Sequence, residues 1–297
     1  MQKSTRGAFV GPTLAVGLVV LAACVGSDPD TGGNVTGDAG GTDTSTSSSG
    51  GSSSGSPGED AATDGSSGEI DSGDGGRVGY FARVKQDGPK AYYRLGEATG
   101  PGVLDAVGTN NGNYSGNLTF NVIGALSDDA NPAVSFVNGC ARMGNIFNFD
   151  AAGSKFTLEA WVKPTNTAGV RVIAGKFNSN STAQNGYKLQ ILPGNTLRMT
   201  CTASDQRFDT TNVVPAGQYT HVAATHDGTM GHIFINGVEV ASGALPLPPL
   251  TGIDFTVGCD FDTINGINNV FVGAIDEVAV FDKALSATTI SQHFQAR

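Results

Sequence analysis

Tryptophan occurs once in these 297 residues, and histidine and cysteine four times each. That scarcity excludes several chemistries. No C-x-x-C pair exists, so neither a zinc site of that spacing nor a thioredoxin-like redox motif is indicated. His221 and His226 are five apart and face opposite ways along a strand, and His232 stands alone. They make no metal pair, and no Ser-His-Asp or Cys-His constellation can be argued from spacing. The apolar run Leu14 to Ala23 is too short to span a bilayer as a helix. Lys and Arg are missing altogether from Val25 to Gly76, which carries ten Asp or Glu. From Arg77 to Arg297 the charges nearly cancel, seventeen acidic against fifteen basic, so the electrostatic footprint of a nucleic-acid-binding protein is missing.

What is present divides the chain into three. Residues 1–23 read as a secretory signal: Lys3 and Arg6 form a positive start, and the short apolar run follows. The segment ends in Leu21-Ala22-Ala23-Cys24, which resembles the lipobox of bacterial lipoproteins, whose cysteine is lipidated and becomes the new N-terminus. Residues 24–76 form a tether. Of the 52 residues Val25 to Gly76, 27 are Gly or Ser, so too little apolar surface exists to offset the entropy of ordering. Such a coil spans roughly 40 Å root-mean-square. The expectation is a domain held at the cell envelope, on the outer membrane or cell surface, touching the membrane through its lipid anchor only.

Residues 77–297 have a globular composition and suffice for one large all-β domain. Phe156-Thr157-Leu158-Glu159-Ala160-Trp161-Val162-Lys163 alternates strictly, which reads as a strand ended by Pro164. Phe156, Leu158, Ala160 and Val162 are assigned to the core, and Trp161 to the outer side or under a loop. Ala91–Leu95, Ala133–Val137, Ile146–Phe149, Arg171–Lys176, Gly186–Ile191, Leu197–Thr202, Gln218–Thr225, His232–Ile235, Val238–Val240, Asp254–Gly258 and Val270–Val280 read as further strands. Gly96 to Gly116 reads as a turn-rich loop. Asn236-Gly237 between apolar runs predicts a type I′ hairpin. Ser286 is a good N-cap for one short C-terminal helix, with Leu285 stapled onto Ile290. The architecture implied is a two-sheet antiparallel β-sandwich.

Three cysteines besides Cys24 allow one bridge. Cys201 and Cys259 both lie in strand patterns where cross-strand neighbours can meet disulfide geometry, and Cys140 competes. Asp276 and Glu277 are adjacent inside an apolar strand and so should point to opposite faces, which keeps them from flanking one scissile bond. They read as structural carboxylates, bonded to loop amides or to an ion.

Several ordered motifs carry a family resemblance. Tyr92-Tyr93-Arg94-Leu95-Gly96-Glu97, Asp105 with its Gly-rich loop, and Phe156 to Pro164 form one part. Tyr219-Thr220-His221-Val222-Ala223 with Asp227-Gly228, Ile233 to Val238, and Gly273-Ala274-Ile275-Asp276-Glu277-Val278 with Ala284-Leu285-Ser286 form the other. Their order and spacing resemble the laminin-G-like, concanavalin A-like jelly-roll domains of secreted bacterial proteins. The resemblance implies a sandwich that binds a ligand, often a glycan, sometimes with calcium. Glucanases of this fold carry Glu-x-Asp-x-x-Glu on one strand face, and that spacing does not occur here, so the expectation is a binding module and not an enzyme.

Phe177, Tyr187, Phe208 and Phe261 lie in or beside loops and are the candidates for stacking on a sugar ring. Asp260-Phe261-Asp262-Thr263-Ile264-Asn265-Gly266 partly resembles a calcium loop, with Asn265 one residue late. Asp105, Asn110 or Asp150 would supply its remaining oxygens. His221 reads as a core histidine with its ring nitrogens bonded. The partner is a glycan, or alternatively a surface protein bound by an adhesion or structural envelope module.

The leader generates a test. Cys24→Ser is expected to leave the precursor unprocessed or to release it into the soluble fraction. Detergent partitioning identical to that of the unaltered protein would refute lipidation at Cys24.

Overall fold

The computed structural model describes residues 78–179, 184–201, 206–246, 252–262 and 266–297. The leader, the tether with Cys24, and Asn265 lie outside the described residues. Helix α1 (Tyr80–Gln86) opens the described part, followed by β1 (Ala91–Tyr93), β2 (Gly102–Val103), β3 (Gly112–Val122), β4 (Ala133–Arg142) and β5 (Phe156–Pro164). Then come β6 (Arg171–Asn178), β7 (Asn185–Ile191), β8 (Thr196–Cys201), β9 (Arg207–Val213), β10 (Thr220–His226), β11 (Met230–Ile235) and β12 (Val238–Ala244). The chain ends with β13 (Thr256–Val257), β14 (Asp260–Asp262), β15 (Gly266–Asn268), β16 (Gly273–Phe281) and helix α2 (Ala287–Gln295).

The strands pair in the order β12-β11-β10-β5-β16-β4-β13-β6-β7-β8-β9, every pair antiparallel, with β1 on β16 and β3 on β4. The path folds over so that its two edges, β12 and β9, pack together. This is the expected sandwich, its two sheets continuous through β4 and β13. The close approach of the edges needs glycine: a Cβ at Gly231 or Gly243 would come within 3.0 Å of the Phe208 ring on β9.

Strand β5 is flanked by β10 on one side and β16 on the other, and only Lys163 along it is not fully buried. Its Phe156, Leu158, Ala160 and Val162 face the main core with Tyr187, Leu189, Leu197 and Met199 from the opposing sheet. Its other face carries Trp161 into a second apolar cluster with Tyr80 and Val84 of α1, Phe281 of β16 and Ile290 of α2. Trp161 is therefore on the outer side, as alternation required, covered by helices where a loop was one alternative. Helix α1 was not legible in the sequence: it has no side-chain cap and no acidic residue in its first turn. Helix α2 was: the Ser286 hydroxyl accepts from the Thr289 amide at 3.1 Å.

The disulfide differs from the Cys201–Cys259 expectation. Cys259 is bridged to Cys140, with Cα atoms 5.4 Å apart. Strand β13 inserts between β4 and β6, pairing Val257 with Ala141, and this carries Cys259 alongside Cys140. Cys201 lies three strands beyond β13, on β8, as a buried free thiol whose pKa burial pushes up. The bridge spans 119 residues, a loop for which the chain-entropy model gives about 4–5 kcal/mol of stabilisation.

Alternation also sends Glu159 to the face of β5 under the helices. A carboxylate there needs partners. His221 on β10 meets it through Nε2 at 2.7 Å, His293 on α2 through Nδ1 at 2.8 Å, and the Tyr80 hydroxyl of α1 donates to it at 2.9 Å. His293 Nε2 continues to Asp87 at the end of α1, 3.0 Å away. Burial alone would raise the Glu159 carboxyl, but the two imidazoles outweigh it and hold it at about 2. For His293, burial lowers the pKa, and the carboxylates of Glu159 and Asp87 more than reverse this. The ring nitrogens of His221 are not both bonded, contrary to the reading of the sequence: Nδ1 is buried without a partner among the described residues.

A pH dependence follows. A histidine whose pKa is raised by folding stabilises the fold fully below its unfolded value of about 6.5, and that contribution is lost as pH rises through the folded value. The loss amounts to about 1.4 kcal/mol for each unit of elevation. The folding free energy of the full chain is therefore expected to fall as pH rises above about 6.5, and His293→Gln to remove that fall. Equal slopes for both proteins in denaturant titrations across this range would refute the assignment.

Candidate functional site: a polar cleft on the outer face of β7 and β8

In β7 and β8 the inward positions are apolar: Tyr187, Leu189 and Ile191, and Leu197, Met199 and Cys201. The alternate positions, Lys188 and Gln190 on β7 and Arg198 and Thr200 on β8, therefore share the outer face. Register sets Lys188 opposite Thr200 and Gln190 opposite Arg198. These four side chains floor a cleft of about 390 Å³, walled by Phe177 at the end of β6 and by Asn269 after β15.

The floor is internally neutralised. Lys188 Nζ donates to Asp260 Oδ2 at 2.6 Å, and Asn269 Nδ2 donates to the same oxygen at 2.8 Å. Arg198 grips Asp209 on β9 with two bonds of 2.5 and 2.7 Å. Burial pushes the Lys188 ammonium below its ordinary range, against the pull of Asp260, and the same burial pushes the Asp260 carboxyl up. Two polar atoms in the floor have no partner among the described residues: Gln190 Oε1 and Thr200 Oγ1, on side chains 5% and 8% exposed. Buried polar atoms are normally paired, and these two, on residues that line the cleft, keep hydrogen-bonding capacity unused among the described residues.

The four candidate aromatics separate. Tyr187 is in the main core, its hydroxyl donating to the Phe147 carbonyl at 2.8 Å. Phe208 packs on Gly231 and Gly243 between the sheet edges. Phe261 lies under the Arg142 guanidinium, 3.5 Å from its ring centre. Phe177 alone of the four borders the cleft, and Lys188 Nζ lies over its ring at 4.0 Å. A cation on the ring face takes the position a sugar would stack on. Stacking thus gives way to hydrogen bonding as the chemistry of this cleft. Gln190 and Thr200 were invisible in the sequence as site residues, because their role comes from the register of β7 on β8.

The calcium candidates do not converge. Asp260 is engaged by Lys188, which puts a positive charge where a cation would sit. Asp262 accepts from Ser179 Oγ at 2.8 Å, and Asn265 lies outside the described residues. Asp105 accepts from the backbone amides of Tyr92, Val107 and Asn110 at 3.0–3.1 Å, fixing the turn beside β1. Among the described residues, no group of three or more His, Cys, Asp or Glu side chains could hold a metal ion. These donors, among the described residues, do not gather on one cation position.

Asp276 and Glu277 require a correction. A register shift between Asp276 and Ala279, with Glu277 at φ 50°, breaks the alternation. Both carboxylates therefore turn onto the segment 124–131: Asp276 Oδ2 accepts from the Ala125 amide at 2.7 Å, and Glu277 Oε1 from Asn131 Nδ2 at 3.4 Å. Arg94 donates to Glu277 at 2.8 Å. Burial first, and then Glu277, push Asp276 well above the carboxylate range. The pair holds a loop and does not line the β7–β8 cleft.

A family model matches residues 139–291, just over half of the chain: Laminin_G_3, the concanavalin A-like lectin/glucanases superfamily. The chain belongs to this family. The sandwich is also similar to solved structures. Domain 4 of AbnA, a GH43 extracellular arabinanase from Geobacillus stearothermophilus solved with arabinotriose, has 20% identity and a TM-score of 0.51, over 70% of this chain and 98% of that one. A mutant Trypanosoma rangeli sialidase displaying trans-sialidase activity has 17% identity and a TM-score of 0.54, over 71% and 33%. The binding domain of botulinum neurotoxin serotype G has 15% identity and a TM-score of 0.50, over 70% and 50%. The Laminin_G_3 chain thus spans half of the neurotoxin domain and a third of the sialidase, and at these identities the likeness is one of fold. Comparison with curated protein sequences gave no match.

The buried pair at the cleft generates a prediction. Asp260→Ala strands the Lys188 ammonium in a site where it is 7% exposed, and is expected to cost about 3 kcal/mol of folding free energy. Replacing both partners, Lys188→Met with Asp260→Leu, is expected to recover most of it. Denaturant unfolding reads both, and a double variant as unstable as the single one would refute the stranded-charge argument.

Proposed function

We propose that this Laminin_G_3 domain is the ligand-binding module of an exported, lipid-anchored envelope protein, and that it binds carbohydrate in the β7–β8 cleft without cleaving it. The observation that carries the reading is the cleft floor: a row of polar side chains on a rigid sheet, with two buried hydrogen-bonding atoms left unpaired. Sugars present dense arrays of hydroxyls, which such a floor satisfies. The neighbouring arabinanase domain, solved with arabinotriose, supports the reading by analogy of fold. The carboxylates at the cleft are each tied to a cation or an amide, which supports binding over general acid–base chemistry. In this reading residues 1–23 direct export, Cys24 carries the lipid, residues 24–76 hold the domain off the membrane, and residues 77–297 bind.

Affinity electrophoresis tests it. Polysaccharides cast into native gels are expected to retard the full chain, with no reducing ends released on prolonged incubation. Mobility unchanged by every polysaccharide, together with capture of a specific surface protein, would replace this reading by that of an adhesion module.

A further inference from the structure

Resting on the carbohydrate reading, we infer that the ligand is an uncharged glycan, and that Gln190 and Thr200 are the residues that read its hydroxyls. The floor has cations, and each is already engaged. Lys188 is held by Asp260 at 2.6 Å, Arg198 by both oxygens of Asp209, and Arg207 at the rim is engaged as well. A carboxylate or sulfate entering the cleft would compete with Asp209 for a guanidinium already bonded through Nε and Nη2, or approach Asp260 in a site where that charge is 1% exposed. Like-charge repulsion then works against an acidic sugar.

What the floor does leave open is neutral: one amide oxygen, an acceptor, and one hydroxyl, both donor and acceptor. Gln190 and Thr200 are diagonal neighbours across β7 and β8, since Gln190 is opposite Arg198 and Thr200 opposite Lys188. Diagonal positions lie roughly 7–8 Å apart. Two hydroxyls on one sugar, or on adjacent sugars, can bridge that span, one donating to Gln190 Oε1 and the other exchanging a bond with Thr200. The residues are fixed by the ladder around them, so ligand binding costs little ordering of the floor.

The test uses the full chain with Gln190→Met and Thr200→Val, which remove the polar atoms and keep much of the shape. Isothermal titration would compare neutral xylo-, arabino- and gluco-oligosaccharides with galacturonate and glucuronate oligomers, each at low and high salt. Expected is binding of a neutral series, weakened about tenfold by either substitution and nearly insensitive to salt, as befits an uncharged ligand. Melting temperatures of the two variants are expected to hold or rise, because an unpaired buried polar atom has been removed; a merely structural role would lower them. Preference for the acidic oligomers, with affinity falling as salt rises, would overturn the uncharged-ligand inference and leave the carbohydrate reading standing. Neutral binding untouched in both variants would overturn the assignment of Gln190 and Thr200. Binding of no oligosaccharide would overturn the carbohydrate reading itself.

Discussion

A strand buried on both faces can carry a carboxylate only if other elements come to it. Strand β5 sits between β10 and β16, with one face in the core of the sandwich and the other under two helices. Alternation places Glu159 on the second face with Trp161. Desolvating an unpaired carboxylate is far costlier than any single contact in the domain gains. Tyr80 from α1, His221 from β10 and His293 from α2 relieve that cost together. The first and last described helices are consequently fastened to the centre of the same sheet, and to each other through Asp87. The clasp leaves the opposite sheet free of helices, and that is the sheet whose outer face forms the cleft.

The two sheets use one rule to different ends. In β7 and β8 the inner positions fill the core, and the outer ones line the cleft. Polar side chains on the outer face of a sheet would ordinarily be exposed, yet Lys188, Gln190 and Thr200 are buried. The residues after β15 account for this: Asn269 reaches across to Asp260, and the Asp260 carboxylate reaches to Lys188. Close packing around charges that satisfy one another shelters the neutral groups between them. The ions of the cleft floor are paired with one another within the fold.

Much of this was legible in the sequence where a local rule acts alone. Strict alternation over Phe156–Pro164 gave the central strand, Asn236-Gly237 the turn with φ of 50° and 77°, and Ser286 the cap of α2. The illegible parts are those in which tertiary pairing overrides the local signal. Strand β3 contains Gly112 and Gly116 and reads as a loop, yet β4 recruits it along ten residues. Strand β9, with Asp209, Thr210, Thr211 and Asn212, carries little apolar pattern and is held at the sheet edge by β8. The bulge at Glu277 reverses the alternation that had separated it from Asp276, and no residue type nearby announces a bulge. The Cys140–Cys259 bridge depends on β13, two residues long, inserting between β4 and β6.

Aromatic platforms are the cheapest route to sugar affinity, and this domain has committed its aromatics elsewhere. Phe177 is capped by Lys188, Phe261 by Arg142, Phe208 is wedged between sheet edges, and Trp161 lies beneath helices. A floor of hydrogen bonds must recover its affinity against water, where each bond nets only about 0.5–1.5 kcal/mol. Such a site is weak toward one sugar and discriminating between sugars, because a misplaced hydroxyl leaves Gln190 or Thr200 unpaired at a cost comparable to the bond itself. Weak, discriminating sites gain by repetition. A module presented in many copies to a polymer with many identical sugars converts successive contacts into effectively intramolecular ones. Under the carbohydrate reading proposed above, a hydrogen-bonding floor of this kind would gain its useful affinity through such repeated contacts and not from one strong one.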